Sequence, residues 1–254
     1  MATILITGAN TGLGKYTADR LQAEGHQLVL HARNHGRAAE IKAERPDVHA
    51  VMSGDLSSIA ETKALARQAN EVARFDAVIH NAGVYNQGER VRLTEDGLND
   101  DFAVNVLAPY ILSVLINRPR RLIFLSSSMH TGGRHDVTDL QWQERPWNSY
   151  QAYSESKFYL TMLAMTFARC WPDIICHAVD PGWVPTRMGG ASAPDSLLKG
   201  CETQAWLATS ESPQVLNSGG YYHHKQRQQA HADVFNEARQ AMLFNKCAQL
   251  ADIL

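Results

Sequence analysis

Tyr153 and Lys157 stand four residues apart in "YQAYSESK" (150–157). On a helix, positions i and i+4 share a face, so a phenol and an ammonium would look into the same space. An adjacent cation favours the phenolate and lowers a tyrosine's pKa from its ordinary value near ~10. That would suit Tyr153 to give and take a proton near neutral pH. A lone Tyr-x-x-x-Lys is more often a surface pair, so the rest of the chain has to decide. Tyr150 is set aside, because its i+4 partner is Ser154 and brings no cation.

A second stretch, "TGANTGLG" (7–14), spaces Gly8, Gly12 and Gly14 as GxxxGxG. Glycines there permit unusual dihedrals and a close backbone approach to a ligand. A helix opening behind them offers free N–H groups and a positive dipole end to a pyrophosphate. The end of the second apolar run, "LVLHARN" (28–34), carries no acid to hold a ribose 2′-hydroxyl; it offers Ala32 and Arg33. A planar guanidinium pairs with a 2′-phosphate where a carboxylate would repel it. The expectation is NADP(H), with a solvated Arg33 as the bland alternative.

These residues need a frame. Runs of β-branched and apolar residues alternate with longer helical patterns. "TILITG" (3–8), "LVLHAR" (28–33), "VHAVMSGD" (48–55), "DAVIHNAG" (76–83), "RLIFLSS" (121–127), "IICHAVDPG" (174–182) and "GGYYHH" (219–224) predict seven strands. Helices are expected over 11–24, to about Arg45, from a Ser57 cap to about Ala73, and over 98–116, 149–170, 195–209 and 231–250. The alternation calls for a parallel or mostly parallel sheet covered by helices on both faces. With right-handed crossovers this is one α/β, doubly wound, Rossmann-like domain over residues 1–254.

The chain has 254 residues, 44% hydrophobic and 20% charged, with a formal net charge of −2. That is ordinary globular composition and gives no general basic field for nucleic acid. The four cysteines, Cys170, Cys176, Cys201 and Cys247, form no CxxC and have no zinc-ligand spacing with a histidine, and read as reduced thiols in a cytoplasmic protein. His223 and His224, adjacent in a strand, would point to opposite faces, so no metal is expected. The N-terminus lacks a signal-peptide pattern, and no apolar run approaches the ~20 residues of a membrane span.

Taken together, "TGANTGLG", "GDL" with Asp55, "NAG" (81–83), "VNV" with Asn105, "SSS" (126–128), "YSESK" and "PGWVPT" resemble, in the same order, the motifs of the short-chain dehydrogenase/reductases. The resemblance covers nearly the whole chain. It implies that Tyr153 exchanges a proton with a carbonyl oxygen, and that Lys157 lowers the tyrosine's pKa and bonds the nicotinamide ribose. Ser127 holds the substrate oxygen, with Ser126 and Ser128 facing away, and Asn105 anchors a water-linked relay to Lys157. It also implies cofactor contacts from Gly8, Asn10, Thr11, Gly12, Leu13 and Gly14. Asp55 and Leu56 sit at the adenine, Asn81, Ala82 and Gly83 under the ribose, and Pro181, Gly182, Val184 and Thr186 at the carboxamide. Two departures stand out: His80 where many relatives have Asn, and Asp180 before Pro-Gly.

The long stretch between Ser127 and Tyr153, with "MHTGGRHDVTDLQWQ" (129–143), and the C-terminal segment are similar to the retinol-dehydrogenase-like and protochlorophyllide-reductase-like branch. Met129, His130, Trp183, Met188 and the 189–217 region are expected around the substrate. For His130 a hydrogen-bonded structural role fits better than catalysis. The activity implied is NADP(H)-dependent interconversion of a carbonyl and an alcohol. A non-catalytic NADP(H)-binding regulator and a reductase of activated C=C bonds are the alternatives. A homodimer or homotetramer through 98–116 and 149–170 is implied, although Phe158, Leu160, Met162, Leu163 and Phe167 there could equally be core.

Overall fold

In the computed structural model, residues 1–134 and 136–253 are described; His135, within the 129–143 segment, lies outside them. The apolar runs become strands β1 (Thr3–Ile6), β2 (Gln27–Ala32), β3 (Ala50–Ser53), β4 (Ala77–His80), β5 (Arg121–Leu125), β6 (Ile175–Asp180) and β7 (Gly220–His223). The central ones are buried on both faces, as β4 and β5 are at every position, which is why they read as unbroken apolar runs. Their order is β3-β2-β1-β4-β5-β6-β7, all parallel. Strand order reverses between β1 and β4, and the carboxyl ends there open the crevice in which such sheets bind ligands.

Helices α1 (Gly12–Ala23), α2 (His35–Glu44) and α7 (Leu197–Thr209) lie on the side of one apolar layer. On the other side lie α3 (Ile59–Val72), α4 (Asp100–Phe102), α5 (Ala108–Leu115), α6 (Ser149–Cys170) and α9 (Glu237–Leu250), the short α8 (Pro213–Leu216) preceding β7. Among the described residues no helix is long and apolar enough to cross a membrane.

Several expectations need correction. An eighth strand, β8 (Gln226–Gln228), pairs antiparallel with β7, so the sheet has eight strands. The connecting residues His224 and Lys225 both adopt positive φ (47° and 62°), as a two-residue hairpin turn of the primed type requires. The His223 and His224 rings do not point apart: the strand ends between them, and the ring centres lie 3.8 Å apart with the planes tilted by 30°. Ser58, not Ser57, caps α3 by accepting from Glu61 N, because Ser57 is tied by its N–H and hydroxyl to Asp55. The 98–116 helix is interrupted by a π-helical turn over Ala103–Leu107 that contains Asn105.

The apolar residues expected at a dimer face are internal. Every residue from Ala152 to Phe167 on α6 is buried, and α9 lies against the helix. Phe244 of α9 packs on Phe167 of α6 and Tyr110 of α5, at 5.8 and 4.9 Å between ring centres. Freeing α6 for a second chain would re-expose such side chains at roughly 1.5–3 kcal/mol each. The apolar side chains of α6 are therefore core, as the sequence allowed, and a homodimer or homotetramer would pair through other residues; light scattering reads its mass.

Candidate active site

The glycine loop is built by close approach. Gly8 and Gly12 have φ of +65° and +54°, a region that costs other L-residues roughly 1–2 kcal/mol. A Cβ at Gly14 would overlap Gly8 O and lie 2.5 Å from Asn81 Nδ2. Thr11 precedes α1 without capping it through its side chain, which leaves first-turn N–H groups for an anion. Asn10, Gly12 and Leu13 are half-buried along this rim. Asn81 ties β4 to the loop: its N–H donates to Thr7 Oγ1 (3.0 Å) and its Nδ2 to Thr7 O (2.8 Å), and Ala82 N also donates to Thr7 Oγ1.

Arg33 and Asp55, expected to meet the 2′-phosphate and the adenine of one cofactor, meet each other. Arg33 Nε donates to Asp55 Oδ2 at 2.8 Å, with the Arg33 side chain 72% exposed. Partial burial favours the protonated acid, but the bonds from Ser57 and then Arg33 win and hold Asp55 below the usual carboxylate range. Leu56 is buried beside it.

Tyr153 and Lys157 share a face of α6, with Lys157 Nζ 5.5 Å from the centre of the Tyr153 ring. Tyr150, 55% exposed, takes no part. Lys157 Nζ donates to Leu125 O at the end of β5 (2.8 Å). The Asn105 carboxamide accepts from Val84 N and donates to Val84 O and Ser156 Oγ. Gly83 passes between Asn105 and Lys157, where an added Cβ would stand 3.2 Å from Asn105 Oδ1 and 3.4 Å from Lys157 Nζ. Ser127 begins a 3₁₀ turn (Ser128–Gly132), its Oγ accepting from Met129 N. Ser126 faces inward on Thr161 (2.5 Å), and Ser128 is exposed.

The electrostatics differ from the simple cation-and-phenol picture. Burial comes first: it pushes the Tyr153 phenol well above its ordinary value, with Asp101 and Asp180 pushing the same way. Burial also lowers the Lys157 ammonium to about 8, opposed by Asp101. The i+4 lysine does not produce an acidic tyrosine here; desolvation outweighs it.

After β6, Gly182 (φ +84°) turns the chain, and Asp180 Oδ1 accepts from Gly182 N (2.9 Å), so the unusual acid fixes the bend. Pro181 and Val184 are buried. A Cβ at Gly12 would meet Thr186 Cγ2 at 3.2 Å, so this loop lies over the glycine loop. Met188 Sδ accepts from Tyr153 OH at 3.7 Å. Trp183, 57% exposed, donates from Nε1 to Gly189 O. His130 is buried: Nδ1 bonds Ser127 O (2.8 Å), and Nε2 accepts from His231 N (3.1 Å). It braces the Ser127 peptide against the C-terminal segment, the structural role.

Three residues escaped the sequence reading. His31 accepts from Gly8 N at Nδ1 (3.1 Å) and bonds Gly54 O through Nε2 (2.8 Å), locking the loop to β2 and β3. Tyr85 packs against Tyr153 with ring centres 4.6 Å apart and the planes tilted by 31°. Asp101 is buried under the same segment. A polar residue inside an apolar run was a signal for His31; nothing marked Tyr85 or Asp101. His80, the other departure, is buried on Ser113 and Phe124, and burial lowers it to about 3. Among the described residues no cluster of three metal-ligating side chains forms.

The family described as short chain dehydrogenase matches residues 2–196. The chain belongs to the short-chain dehydrogenase family. An uncharacterised oxidoreductase of Emericella nidulans is 38% identical over 100% of this chain and 98% of its own. A candidate daunorubicin C-13 ketoreductase of a Streptomyces species is 31% identical over 87% and 82%. Human retinol dehydrogenase 13 is 33% identical over 74% and 60%, in keeping with the retinol-dehydrogenase-like branch. Among solved structures, the NADPH-bound carbonyl reductase from chicken fatty liver superposes with a TM-score of 0.69 at 22% identity, covering 91% of this short-chain dehydrogenase and 99% of that chain.

Proposed function

We propose that this short-chain dehydrogenase is an NADP(H)-dependent oxidoreductase that interconverts a ketone or aldehyde with the alcohol. The observation that carries the proposal is that the loop after β6 reaches both the glycine loop before the uncapped α1, through Thr186, and the Tyr153–Lys157 face of α6, through Met188. The residues fit a dinucleotide: the first turn of α1 opens beside the glycine loop with no side-chain cap on its N–H groups, and Arg33 stands exposed beyond β2. Gly8 to Gly14 would take the pyrophosphate, Arg33 the 2′-phosphate, Asp55 and Leu56 the adenine, Asn81 to Gly83 the ribose, and Pro181 to Thr186 the carboxamide. The bound nicotinamide supplies or accepts the hydride.

The chain's own residues handle the proton. Burial keeps Tyr153 a phenol through the neutral range, so its hydroxyl is the acid for reduction. Met188 Sδ now receives that hydroxyl; a carbonyl oxygen takes this place, with Ser127 Oγ as its second donor. Lys157, ammonium below about pH 8, stabilises the phenolate left behind. Asn105 holds Val84 and Ser156 around the pair and would anchor the relay that returns the proton. Met129, Trp183, Met188 and the segment after Gly189 would face an apolar carbonyl compound, while α7 within the 189–217 region packs in the core; His130 stands behind Ser127. We place the enzyme in the cytoplasm, acting on small molecules and not on nucleic acid.

Calorimetric titration with NADPH and NADH, then consumption of NADPH against aldehydes, ketones and enones, tests the proposal. An alcohol product supports it, a saturated ketone points to C=C reduction, and binding of neither nucleotide overturns it. Arg33→Ala should lower the NADPH-to-NADH affinity ratio by about 10- to 100-fold, the worth of a charge-assisted hydrogen bond. The effect should sit at the lower end, because Asp55 already holds Nε. An unchanged ratio would remove Arg33 from cofactor choice.

A further inference from the structure

The segment after β4 is held by two side chains one helical turn apart. Asn105 takes both the N–H and the carbonyl of Val84, and Asp101, four residues earlier, accepts from Asn86 N through Oδ1 (3.1 Å). The residue between those two fixed peptides is Tyr85, whose ring lies on Tyr153. Asp101 is 1% exposed, and its Oδ2 is buried without a hydrogen-bond partner. An idle acceptor on a buried carboxylate is costly, and nothing about folding α4 requires an acid there. Its own N–H is already satisfied by Asn99 Oδ1.

We propose that Asp101 is a positioning residue of the reacting pair: by holding Asn86 N it fixes the Tyr85 ring against Tyr153, and it keeps a buried carboxylate under the segment that covers the pair. The inference rests on Tyr153 and Lys157 being the reacting pair. No hydrogen bond links Asp101 to either, so its charge acts on them through space in a dry environment, where charge carries farthest.

The charged groups around Asp101 are Asp100 on its own helix, Arg92 on the preceding loop, and Lys157 on α6. Asp100 is occupied by Arg92. Asp101 is the carboxylate acting on Lys157 among the described residues, while Tyr153 also feels Asp180 and Tyr85. Burial raises Asp101 to about 6, so it is anionic at neutral pH and titrates just below. While anionic it raises both Lys157 and Tyr153. Removing the charge must lower both, so the pH range in which the pair works moves as a block toward acid.

Asp101→Asn tests this, because Asn keeps an acceptor for Asn86 N and deletes only the charge. The Lys157 titration, read from its Cε–H NMR signal and assigned with Lys157→Met, needs no substrate. The Lys157 midpoint is expected to fall from about 8 by roughly one pH unit in Asp101→Asn and to return in Asp101→Glu. An unchanged midpoint, or an equal fall in the Glu variant, overturns the proposal. With a carbonyl substrate in hand, the pH profile of kcat/KM should shift toward acid in Asp101→Asn; a loss of amplitude without a shift marks a purely structural residue and also overturns it. Should the Asn variant not fold, the unaltered protein decides: a Lys157 Cε–H signal that shifts as the Asp101 carboxyl ¹³C signal titrates supports the inference, and a Lys157 signal indifferent to that titration ends it. Failure of every carbonyl substrate would instead sink the functional proposal and leave the titration result intact.

Discussion

Tyr153→Phe is expected to slow carbonyl reduction by about 10²–10⁴-fold, the usual worth of a positioned general acid, and to leave NADPH affinity unchanged. The variant is a clean deletion. The ring is 8% exposed and packed on Tyr85, so its fit survives. The lost hydroxyl gives up only a 3.7 Å bond to Met188 Sδ, and a thioether is a weak acceptor that leaves little unsatisfied. Lys157 stays anchored on Leu125 O. Single-turnover kinetics beside calorimetry would separate the two effects. A Phe variant retaining more than about a tenth of the rate, well short of the expected loss, would mean that another group delivers the proton. Because burial keeps Tyr153 protonated, alcohol oxidation, which needs the phenolate, should lag reduction at neutral pH.

The second large effect falls on the loop. By local propensity Gly14→Ala should help, since alanine gains about 0.5–1 kcal/mol over glycine in a helix. The tertiary contact opposes it. The new methyl would overlap Gly8 O, a backbone atom that cannot rotate away, and would press on Asn81 Nδ2 at 2.5 Å. Overpacking of that kind costs about 1–3 kcal/mol or more, so the clash wins. NADPH binding should weaken by about 100-fold, and the melting temperature should fall, because the displaced atoms hold β1 to β4. Gly25→Ala is the control: its φ is +82° but a Cβ there meets nothing within 4 Å. It should cost some stability and no affinity. Equal affinity loss in both variants would show that general destabilisation, not the Gly14 contact, weakens binding.

Much of this was written locally. β1, β2, β4 and β5 announce themselves as apolar runs because a parallel strand is buried on both faces. The α6 start at Ser149 follows the Asn148 cap, and Tyr153 and Lys157 share a face simply because a helix turns every 3.6 residues. The order of the motifs gave the family. Where a signal was local but ambiguous, neighbours decided by small margins: Ser57 and Ser58 are both capping residues, and Asp55 claimed the first. The hairpin to β8 was invisible because His224 and Lys225 take the positive φ usually marked by Asn-Gly.

What the sequence by itself determined is the class of sheet, the family, and which side chains are offered to the site. What only the tertiary structure decided is the state in which those side chains stand. Arg33 proved to be paired with Asp55, α6 to be covered by α9, and Tyr153 to be held as a phenol with Lys157 near its titration point. Asp101 joined the site from an element that composition gave no reason to notice. The reason is physical: periodicity and turn chemistry act over a few residues and are written in order along the chain. Desolvation and through-space charge depend on which distant segments close around a group, and no spacing in the sequence encodes that.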